Sequence, residues 1–531
     1  MQRRDFLQGA SQLAALMAWQ TLFAQTDRQA ADASASRGWT APADTFSLGV
    51  ASGEPRPSSV VIWTRLAPRP LQPDGGMPAQ AVAVTWQVAA DPRFARIVQQ
   101  GVVVTDPARA HSVHVEVDGL DSGRTYHYRF TAGGQDSPVG RTRTAPAPGA
   151  DPGSLRFALA ACQHYEQGAF TVHREIAAAD LDFVLFVGDY VYEGPTHRRL
   201  RRRRHAVEVE REYSLPLYRI HHANYKQDPD LRACHAAHPW LMTWDDHEVR
   251  NDYDGIHNTE DDDVTTAEFL KRRAMAYQAY FEHLPISPTR APVGPDAAFY
   301  ASYQWGTLAQ LWLLDTRQWR EAQACQSGIH APWAGRLLWR CTATEAKERS
   351  MLGWPQERWL AEGLASSTSA WRLIGQTTQL SPSGFGTPFG PLLYSDGWDT
   401  FPAARERLMA AIAQPRVPDV VVLGGDVHRH VAAQLRLHPG DRSSPVIASE
   451  LIGSSITSRG LSEALNQWMR SSNPDILHSR SDERGYALID LNAQRLRCDF
   501  RATPHPVKAD SVLHTQASFV IDRGVPGPRR V

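Results

Sequence analysis

Potential metal-binding side chains stand at the ends of four apolar stretches of the sequence. RFALAAC ends at Cys162, FVLFVGD at Asp189, WLMTWDD at Asp245 and Asp246, and VVVLGGD at Asp426. If these stretches are strands of an α/β sheet, their carboxyl ends meet at one edge, which is where such sheets bind ligands. One polar strand end is ordinary, but four together predict a single site.

Two short motifs add further donors. In GDYVYE, Asp189 and Tyr192 are three residues apart, a spacing that a turn can fold so that the carboxylate and the phenol face one ion. In LGGDVH, two glycines allow the backbone to approach closely before Asp426 and His428, and imidazole is a common ligand of transition metals.

The motif WDDHEVRND concentrates donors more densely. It holds, within eight residues, Asp245, Asp246, His247, Glu248, Asn251 and Asp252. A solvated acidic turn is the alternative interpretation. The Trp and the apolar strand before the motif disfavour it, because carboxylates at a buried strand end need a cation or hydrogen-bond donors to offset the loss of water.

The donor types indicate which ions would bind. The thiolate of Cys162 and the phenolate of Tyr192 are anionic donors that suit Fe³⁺, whereas carboxylate and amide oxygens suit a hard ion such as Ca²⁺. A mononuclear zinc site would more often use several histidines, and GDVH supplies one. A buried structural thiol remains the alternative for Cys162, and a packed aromatic ring the alternative for Tyr192.

Two different patterns along the chain must position these residues. From about residue 46 to 143, short alternating segments such as SVVIWTRL and TYHYRF are separated by turns, which predicts an all-β sandwich of the immunoglobulin or fibronectin type III kind over residues 44–144. After the linker APAPGADPG, apolar strands alternate with amphipathic helices such as TTAEFLKRRAMAYQAYFEHL. This alternation predicts an α/β domain over residues 154–515.

The overall composition excludes several classes of protein. A chain of 531 residues with 42% hydrophobic and 21% charged residues predicts at least two globular domains and excludes a disordered chain. The net charge of -1 excludes a general attraction to nucleic acids or anionic membranes. Any attraction must be local, and the run HRRLRRRRH from His197 to His205 is either solvated surface or a loop at the site that attracts a phosphorylated substrate.

The first 33 residues resemble an export signal. Arg3 and Arg4 in RRDFLQ precede a modest apolar stretch from Ala10 to Ala24, which is too short to span a bilayer and is typical of a twin-arginine signal. A disordered leader is the alternative. We expect the chain to use the twin-arginine translocase, to lose residues 1–33, and to be periplasmic or secreted as a monomer without a membrane span.

The five cysteines are too few for a disulfide framework, and their odd number leaves at least one unpaired. Cys325 and Cys341 flank a loop, and a disulfide between them would close it in an oxidising compartment. Cys234 and Cys498 are predicted to pack as small apolar residues.

Taken together, the motifs resemble those of the PhoD-type alkaline phosphatases, a branch of the metallophosphoesterases that is also similar to purple acid phosphatases. The resemblance covers nearly the whole mature chain, through SLGVASGEP, VVIWTRL, ACQHYEQGAF, GDYVYEG, TWDDHEVRNDY, LDTRQ, GDVH and SELIGSSIT. It implies a four-layer α/β metallophosphoesterase-like sandwich behind an immunoglobulin-like domain, and a site that binds one Fe³⁺ and one or two Ca²⁺.

The resemblance also implies a role for each residue of the site. The residues expected around iron are Cys162, Asp189, Tyr192 and His428. Calcium is expected to be held by Asp246, Asn251 and Asp426, with Asp189 bridging the ions and Asp245 as the alternative to Asp246. His247 is either the general acid or a group that orients a ligand, and Arg317 either binds the substrate phosphate or pairs with a core carboxylate.

These expectations describe an exported, metal-dependent phosphohydrolase that releases phosphate from organic phosphoesters. A bound cation would lower the pKa of water and supply the attacking hydroxide. One alternative is a phosphodiesterase, or phospholipase D-like enzyme, acting on phospholipid, nucleotide or wall polymer, and no other contact with nucleic acids is expected. A second alternative is a non-catalytic adhesion protein whose metals only stabilise the fold.

Overall fold

Two large β-sheets pack face to face in a computed structural model that describes residues 39–207, 213–259, 264–325, 329–331 and 335–531. The predicted signal, residues 1–33, lies outside the described residues. The larger sheet has ten strands, in the order β25 (Arg529–Arg530), β24 (His514–Asp522), β23 (Arg495–Pro504), β22 (Glu483–Leu491), β9 (Leu155–Ala160), β10 (Phe183–Val187), β11 (Pro239–Thr243), β1 (Val50–Gly53), β2 (Val60–Arg65) and β5 (Ser112–Val117).

The second sheet has seven strands. Their spatial order is β12 (Ala301–Trp305), β13 (Ala309–Leu313), β16 (Trp371–Gly375), β18 (Val420–Gly424), β20 (Val446–Ile452), β19 (His430–Arg436) and β21 (Ile476–Arg480). Strands β9, β10 and β11 are parallel in the first sheet, and β13, β16, β18 and β20 are parallel in the second. Their apolar residues meet between the sheets in one core, which contains Phe157, Leu185, Leu311, Leu373 and Val421.

Helices cover the outer faces of both sheets. The helices are α1 (Thr171–Ala178), α2 (Leu215–Lys226), α3 (Pro229–Ala237), α4 (Thr266–His283), α5 (Trp354–Ser366), α6 (Pro402–Ile412) and α7 (Glu463–Ser472). Helices α1 to α4 share a core with the ten-stranded sheet, and α5 and α6 share another with the seven-stranded sheet. This order of helices, sheet, sheet and helices confirms the predicted four-layer α/β fold.

Helix α4 shows how local sequence specifies these elements. Thr265 and Glu268 form a capping box at its start, in which each side chain accepts a hydrogen bond from the backbone of the other. Phe269, Tyr277 and Phe281 follow at helical spacing and are buried against the sheet. Within the described ranges, no helix is both long enough and apolar enough to cross a bilayer.

The β-sandwich near the N-terminus shares one of its sheets with the α/β domain. Strand β1 pairs in parallel with β11, through Ser52 opposite Pro239 and Gly53 opposite Trp240, so that β1, β2 and β5 continue the ten-stranded sheet. A side chain at Gly53 would collide with the carbonyl oxygens of Pro285 and Trp240, so glycine permits this junction. The opposite sheet contains β3 (Val82–Ala89), β4 (Ile97–Thr105), β6 (Thr125–Ala132), β7 (Gln135–Asp136) and β8 (Gly140–Arg143).

A small third sheet lies beside the edge of the domain where the site is found. It contains β14 (Ile329–Ala331), β15 (Gly335–Trp339) and β17 (Leu392–Tyr394). A disulfide joins Cys325 to Cys341 around the β14–β15 pair, as the sequence predicts for this excursion. Cys162, Cys234 and Cys498 are free and buried.

Candidate metal centre

Three of the predicted ligands follow parallel strands in a strained backbone conformation. Cys162, Asp189 and Asp426 come directly after β9, β10 and β18, and their φ angles are 58°, 57° and 58°. His428 has a φ of 51°. Positive φ is uncommon for residues other than glycine, and such strain concentrates at functional sites. These loops therefore turn sharply at the carboxyl edge of the sheets and direct their side chains to one place.

The first group of ligands brings together residues that are far apart in the chain. The ligand atoms of Cys162, Asp189 and His428 all lie within 4.8 Å of one another. The Tyr192 hydroxyl donates a hydrogen bond to Asp189 Oδ2 at 2.8 Å and lies 3.1 Å from His428 Nε2. A thiol, a phenol, an imidazole and a carboxylate thus converge on one point.

Asp189 also belongs to a second group. Its carboxylate lies within 4.8 Å of ligand atoms of Asp246 and His247, and Asp246 forms a third such group with Asp252 and Asp396. Asp189 is buried, and its Oδ1 atom has no hydrogen-bond partner among the described residues. A buried carboxylate oxygen without a partner is costly, which suits an atom that binds a cation.

The electrostatics of these carboxylates point to the same conclusion. Burial raises the pKa of Asp189 well above its usual range, and although His247 opposes this shift, Asp246 and Asp245 add to it. Burial also raises the pKa of Asp245 to about 8, although Arg317 opposes this shift. For Asp426, burial and the charge of Asp246 raise the pKa to about 6. Cations at this position would keep the carboxylates ionised.

Burial acts in the same direction on the two anionic donors. It raises the pKa of the Cys162 thiol well above its usual range, and the charges of Asp189 and Asp426 add to the effect. Burial, followed by Asp189 and Cys162, raises the pKa of Tyr192 as well. Both groups would become anions only on a bound cation, and a thiolate and a phenolate fit a ferric ion.

Residues close to Cys162 orient the His428 and Tyr192 ligands. His428 Nδ1 donates to the backbone carbonyl of Arg459 at 2.9 Å, which leaves Nε2 free to bind an ion. The Ser458 hydroxyl lies 2.8 Å from the Tyr192 hydroxyl and 3.0 Å from the Cys162 carbonyl oxygen. Sequence reasoning missed Ser458, although it directly follows the quoted motif SELIGSSIT.

Glu248, which the sequence analysis counts among the donors of WDDHEVRND, holds the loops after β10 and β11 together. Its carboxylate is fully buried and accepts hydrogen bonds from the backbone N–H groups of Asp189 at 3.1 Å, of Asp245 at 2.7 Å, and of Tyr190. The sequence signal was present, since Glu248 lies inside WDDHEVRND. What was missing was any sign that it would bind backbone rather than an ion.

His247 lines the cavity with one ring nitrogen fixed. Its Nδ1 atom lies 2.7 Å from Glu193 Oε2, while Glu193 Oε1 accepts a hydrogen bond from the backbone N–H of Asn251 at 2.7 Å. Burial alone would lower the pKa of His247, but Glu193, Asp246 and Asp189 raise it well above its usual range. Glu193 was also missed, although it ends the quoted motif GDYVYE.

Arg317 does not line the cavity in this structure. Its side chain is fully buried and forms hydrogen bonds to Asp396 at 2.6 and 2.8 Å and to Asp245, with Asp246 at 3.4 Å. These contacts match the core-pairing alternative, because the donors that a phosphate would need are already used. Asp245 is thereby engaged in a salt bridge, whereas Asp246 faces the cavity.

The remaining predicted ligands lie on the wall of the same cavity, whose volume is about 210 Å³. Asn251 and Asp426 line it beside Asp189, Asp246 and Asp252, and Asp426 Oδ2 accepts a hydrogen bond from Thr378 at 2.6 Å. Asp426 lies outside the three groups described above. The lining also includes the apolar residues Leu337, Phe385, Leu461 and Met469, which we call the apolar wall, and two arginines, Arg429 and Arg459.

Comparison with known proteins gives consistent matches over the whole chain. The PhoD-like phosphatase family matches residues 157–500, and the PhoD-like phosphatase N-terminal domain matches residues 31–146. Over 537 residues the chain is 40% identical to alkaline phosphatase D of Bacillus subtilis (strain 168), covering 100% of this chain and 89% of that protein.

Solved structures agree with these matches. The structure of PhoD superimposes with a TM-score of 0.86 at 40% identity, over 93% of this chain and 92% of that one. The purple acid phosphatase PPD1 from yellow lupin (Lupinus luteus) seeds superimposes with a TM-score of 0.54 at 11% identity, over 89% of this chain and 74% of that one. The second likeness concerns the fold alone.

Proposed function

This chain belongs to the PhoD-like phosphatase family and is an alkaline phosphatase that hydrolyses phosphoesters, and we propose that Asp189 would belong to the ligand sets of two metal ions at its reaction centre. One observation carries the proposal. Asp189 is shared by the groups Cys162–Asp189–His428 and Asp189–Asp246–His247, and its Oδ1 atom is buried without a hydrogen-bond partner among the described residues. Family membership also confirms the resemblance drawn from the motifs.

We assign the ions by the chemistry of their donors. Cys162, Asp189, Tyr192 and His428 would hold Fe³⁺, because thiolate and phenolate are anionic donors suited to a ferric ion. The ligands proposed for Ca²⁺ are Asp189, Asp246, Asn251 and Asp426, and we add Asp252, which lies on the same wall and is within 4.8 Å of Asp246. Asp396 is excluded from this set because Arg317 and Arg320 occupy its carboxylate.

The protein groups of the site then have distinct tasks in hydrolysis. When bound, the two ions supply Lewis acidity, which activates water and offsets negative charge on the phosphoryl oxygens. Glu193 fixes the His247 ring through Nδ1, and we assign to the other ring nitrogen, Nε2, the transfer of a proton to the ester oxygen as its bond to phosphorus breaks. The products of water addition and this proton transfer are the alcohol and phosphate.

The apolar wall of the cavity gives the substrate an orientation. Leu337, Phe385, Leu461 and Met469 line the same cavity as the ligands, so the organic group of the ester would pack against them while its phosphate lies at Asp189. Only interactions gained at the phosphate during the reaction would then raise kcat, while the apolar wall would mainly affect KM.

Export through the twin-arginine pathway is also part of the proposal, and it rests on RRDFLQ at the start of the chain and on the Cys325–Cys341 disulfide, which favours an oxidising compartment. We expect the mature protein to act as a monomer in the periplasm or outside the cell. Replacement of Arg3 and Arg4 by Lys should retain the protein in the cytoplasm, as measured by cell fractionation. Unchanged export of that variant would contradict this route.

Metal analysis combined with a visible spectrum of the purified protein tests the metal assignment. Phenolate bound to Fe³⁺ absorbs visible light by charge transfer, so the protein should be coloured and should contain iron and calcium. Tyr192→Phe should abolish the band. Tyr190→Phe is the matched control, because Tyr190 is equally buried in the same loop but its hydroxyl contacts His235. A colourless, iron-free and fully active protein would overturn the assignment.

A further inference from the structure

The arginine-rich segment His197–His205 lies beside the wall of the catalytic cavity. Thr196, which precedes it, donates its backbone N–H to Glu166 at 2.8 Å and accepts a hydrogen bond from Gln167 Nε2 at 2.9 Å. Gln167 Oε1 in turn accepts the backbone N–H of Arg459 at 2.6 Å, and Arg459 lines the cavity. A single side chain, Gln167, therefore connects the segment to the cavity wall.

The structure divides the six arginines of this segment into two sets. Arg201 forms a salt bridge with Glu166 at 2.9 Å, and Arg203 forms one with Asp228 at 2.7 Å. Arg203 also stacks on Tyr165, with its guanidinium carbon 3.7 Å from the ring centroid. Arg201 and Arg203 thus attach the segment to the domain, and their charges are balanced.

The other four arginines point to solvent, and with Arg459 they form what we name the arginine rim. Its members are Arg198, Arg199, Arg202, Arg204 and Arg459. All five are exposed, and among the described residues none has a carboxylate within ion-pair distance. Within the described part of the chain, the side chain of Arg202 donates hydrogen bonds to the backbone carbonyls of Arg199 and Arg201 and to no carboxylate.

The half-buried His505 is affected by positive charge from both parts of the rim. The pKa of His505 is lowered to about 4, first by partial burial and then by the charges of Arg484, Arg202 and Arg459. Arg202 and Arg459 therefore act on the same group, although they are far apart in the sequence. Keeping positive charges together is unfavourable because they repel one another, and the half-buried salt bridges of Arg201 and Arg203 maintain the arrangement.

We propose that the arginine rim is a second anion-binding site, so that this phosphatase favours phosphoesters carrying a further phosphate beyond the one that is cleaved. A guanidinium group can donate two parallel hydrogen bonds to two oxygens of one phosphate. Because the net charge of the chain is -1, attraction of a second phosphate must come from a local cluster of positive charge. The inference rests on the proposed function, because it places the cleaved phosphate at Asp189 and the second phosphate toward Arg459 and the segment.

The decisive variant replaces Arg198, Arg199, Arg202 and Arg204 by Ser and keeps Arg201 and Arg203, whose salt bridges hold the segment. Two substrates are compared at low and high salt: adenosine monophosphate, and adenosine bisphosphate with phosphates on two ribose oxygens. At low salt, KM for the bisphosphate should rise about tenfold while KM for the monophosphate changes less than about twofold, and high salt should reduce the difference. An equal change for both substrates, or no salt dependence, would overturn the proposal.

A matched control removes the same charge elsewhere. Arg69, Arg93, Arg96 and Arg124 are exposed in the N-terminal sandwich, and their replacement by Ser should leave both KM values unchanged. If this control raises KM for the bisphosphate as much as the rim variant does, the effect comes from total charge and the rim proposal fails.

A binding measurement separates this proposal from the one on which it rests. Asp189→Asn is expected to be inactive, yet the rim is intact in it, so calorimetry should still detect adenosine bisphosphate and should show at least about tenfold weaker binding when the four rim arginines are also replaced. Equal binding with and without the rim arginines would overturn the rim alone. Full hydrolytic activity of Asp189→Asn would instead overturn the proposed reaction centre.

Discussion

Two adjacent groups of buried carboxylates differ in how their charge is balanced. Asp396 receives two hydrogen bonds from Arg317, at 2.6 and 2.8 Å, and others from Arg320 at 2.5 Å and Gln323 at 3.1 Å. Asp189 receives a hydrogen bond from Tyr192 on one oxygen and has no partner among the described residues on the other. Both carboxylates are almost fully buried.

This contrast distinguishes structural carboxylates from carboxylates that bind a ligand. A buried carboxylate that the fold itself satisfies, such as Asp396, contributes to stability and is costly to disrupt. A buried carboxylate with an unpaired oxygen, such as Asp189, lowers the free energy of unfolding unless a cation binds that oxygen. Acidic residue type alone does not distinguish the two cases.

The largest expected effect is the loss of activity in Asp189→Asn. Removal of the shared carboxylate should lower kcat/KM by about a thousandfold or more, which is about 4 kcal/mol. In chelator-treated protein the free energy of unfolding should not fall, because Asp189 Oδ1 has no hydrogen-bond partner among the described residues that the change could remove. Steady-state kinetics and urea unfolding measure both.

Asp182→Asn is the control for that change. Asp182 directly precedes β10, whereas Asp189 follows the same strand, and Asp182 pairs with Arg143 at 2.6 Å. Its replacement should leave activity within about twofold of the wild type, as expected for a change outside the site. A comparable loss of activity in both variants would show that the strand, rather than the carboxylate, is what matters.

The reverse pattern is expected for Asp396→Asn. Loss of this carboxylate removes the ion-pair partner of Arg320 and one of the three carboxylates around Arg317, and should lower the free energy of unfolding by about 3 to 5 kcal/mol. Asp399→Asn, which affects a single pair with Arg405 at 2.6 Å, should cost less. Denaturant unfolding of both variants provides the measurement. Wild-type stability of Asp396→Asn would contradict a structural role for the Asp396 carboxylate.

Glu248→Gln tests a carboxylate that is satisfied by the fold yet serves the site. One amide oxygen cannot replace a carboxylate that accepts three backbone N–H bonds, so unfolding should become easier by about 1 to 3 kcal/mol. Because Glu248 holds the loops of Asp189 and Asp245, kcat should fall about tenfold or more.

Glu450→Gln is the matched control, since Glu450 accepts the backbone N–H groups of Leu380 at 2.6 Å and Ser381 at 3.0 Å. It should show a similar loss of stability, and kcat should remain within about twofold of the wild type. Equal kinetic effects in the two variants would mean that Glu248 has no special link to the ligand loops.

Near neutral pH, the smallest expected effect is the contribution of a buried histidine to acid stability. Burial lowers the pKa of His173 from 6.5 to about 4, so between these pH values the unfolded chain binds a proton that the folded protein does not. The free energy of unfolding should therefore fall as the pH drops from 6.5 toward 4, by about 1.4 kcal/mol per pH unit for this histidine.

His173→Gln should reduce that slope, as measured by unfolding at a series of pH values. His257 provides the opposite case, because its hydrogen bond to Asp254 raises its pKa. Its contribution is present at low pH and is lost only as the pH rises, so His257→Gln should leave the slope below pH 6.5 unchanged. If the pH dependence of the free energy of unfolding is the same in His173→Gln as in the wild type, buried His173 is not a source of the loss of stability in acid.

The sequence alone was enough to predict the fold class, the family and several strand ends that approach one another. This was possible because the relevant signals are local. An apolar strand that ends in Cys162, Asp189 or Asp426 carries both its secondary structure and its polar end in one short stretch, and parallel strands bring such ends to one edge.

The contacts of each charged side chain, in contrast, depend on the tertiary fold and could not be predicted from the sequence. Arg317 is 72 residues from Asp245 and 79 from Asp396, and no local pattern shows that these carboxylates would use its donors. In the same way, Arg201 and Arg203 are balanced while their neighbours are not, because Glu166 and Asp228 come from other segments. Charge balance inside a protein depends on distances between remote parts of the chain, and those distances exist only once the sheets and helices have packed.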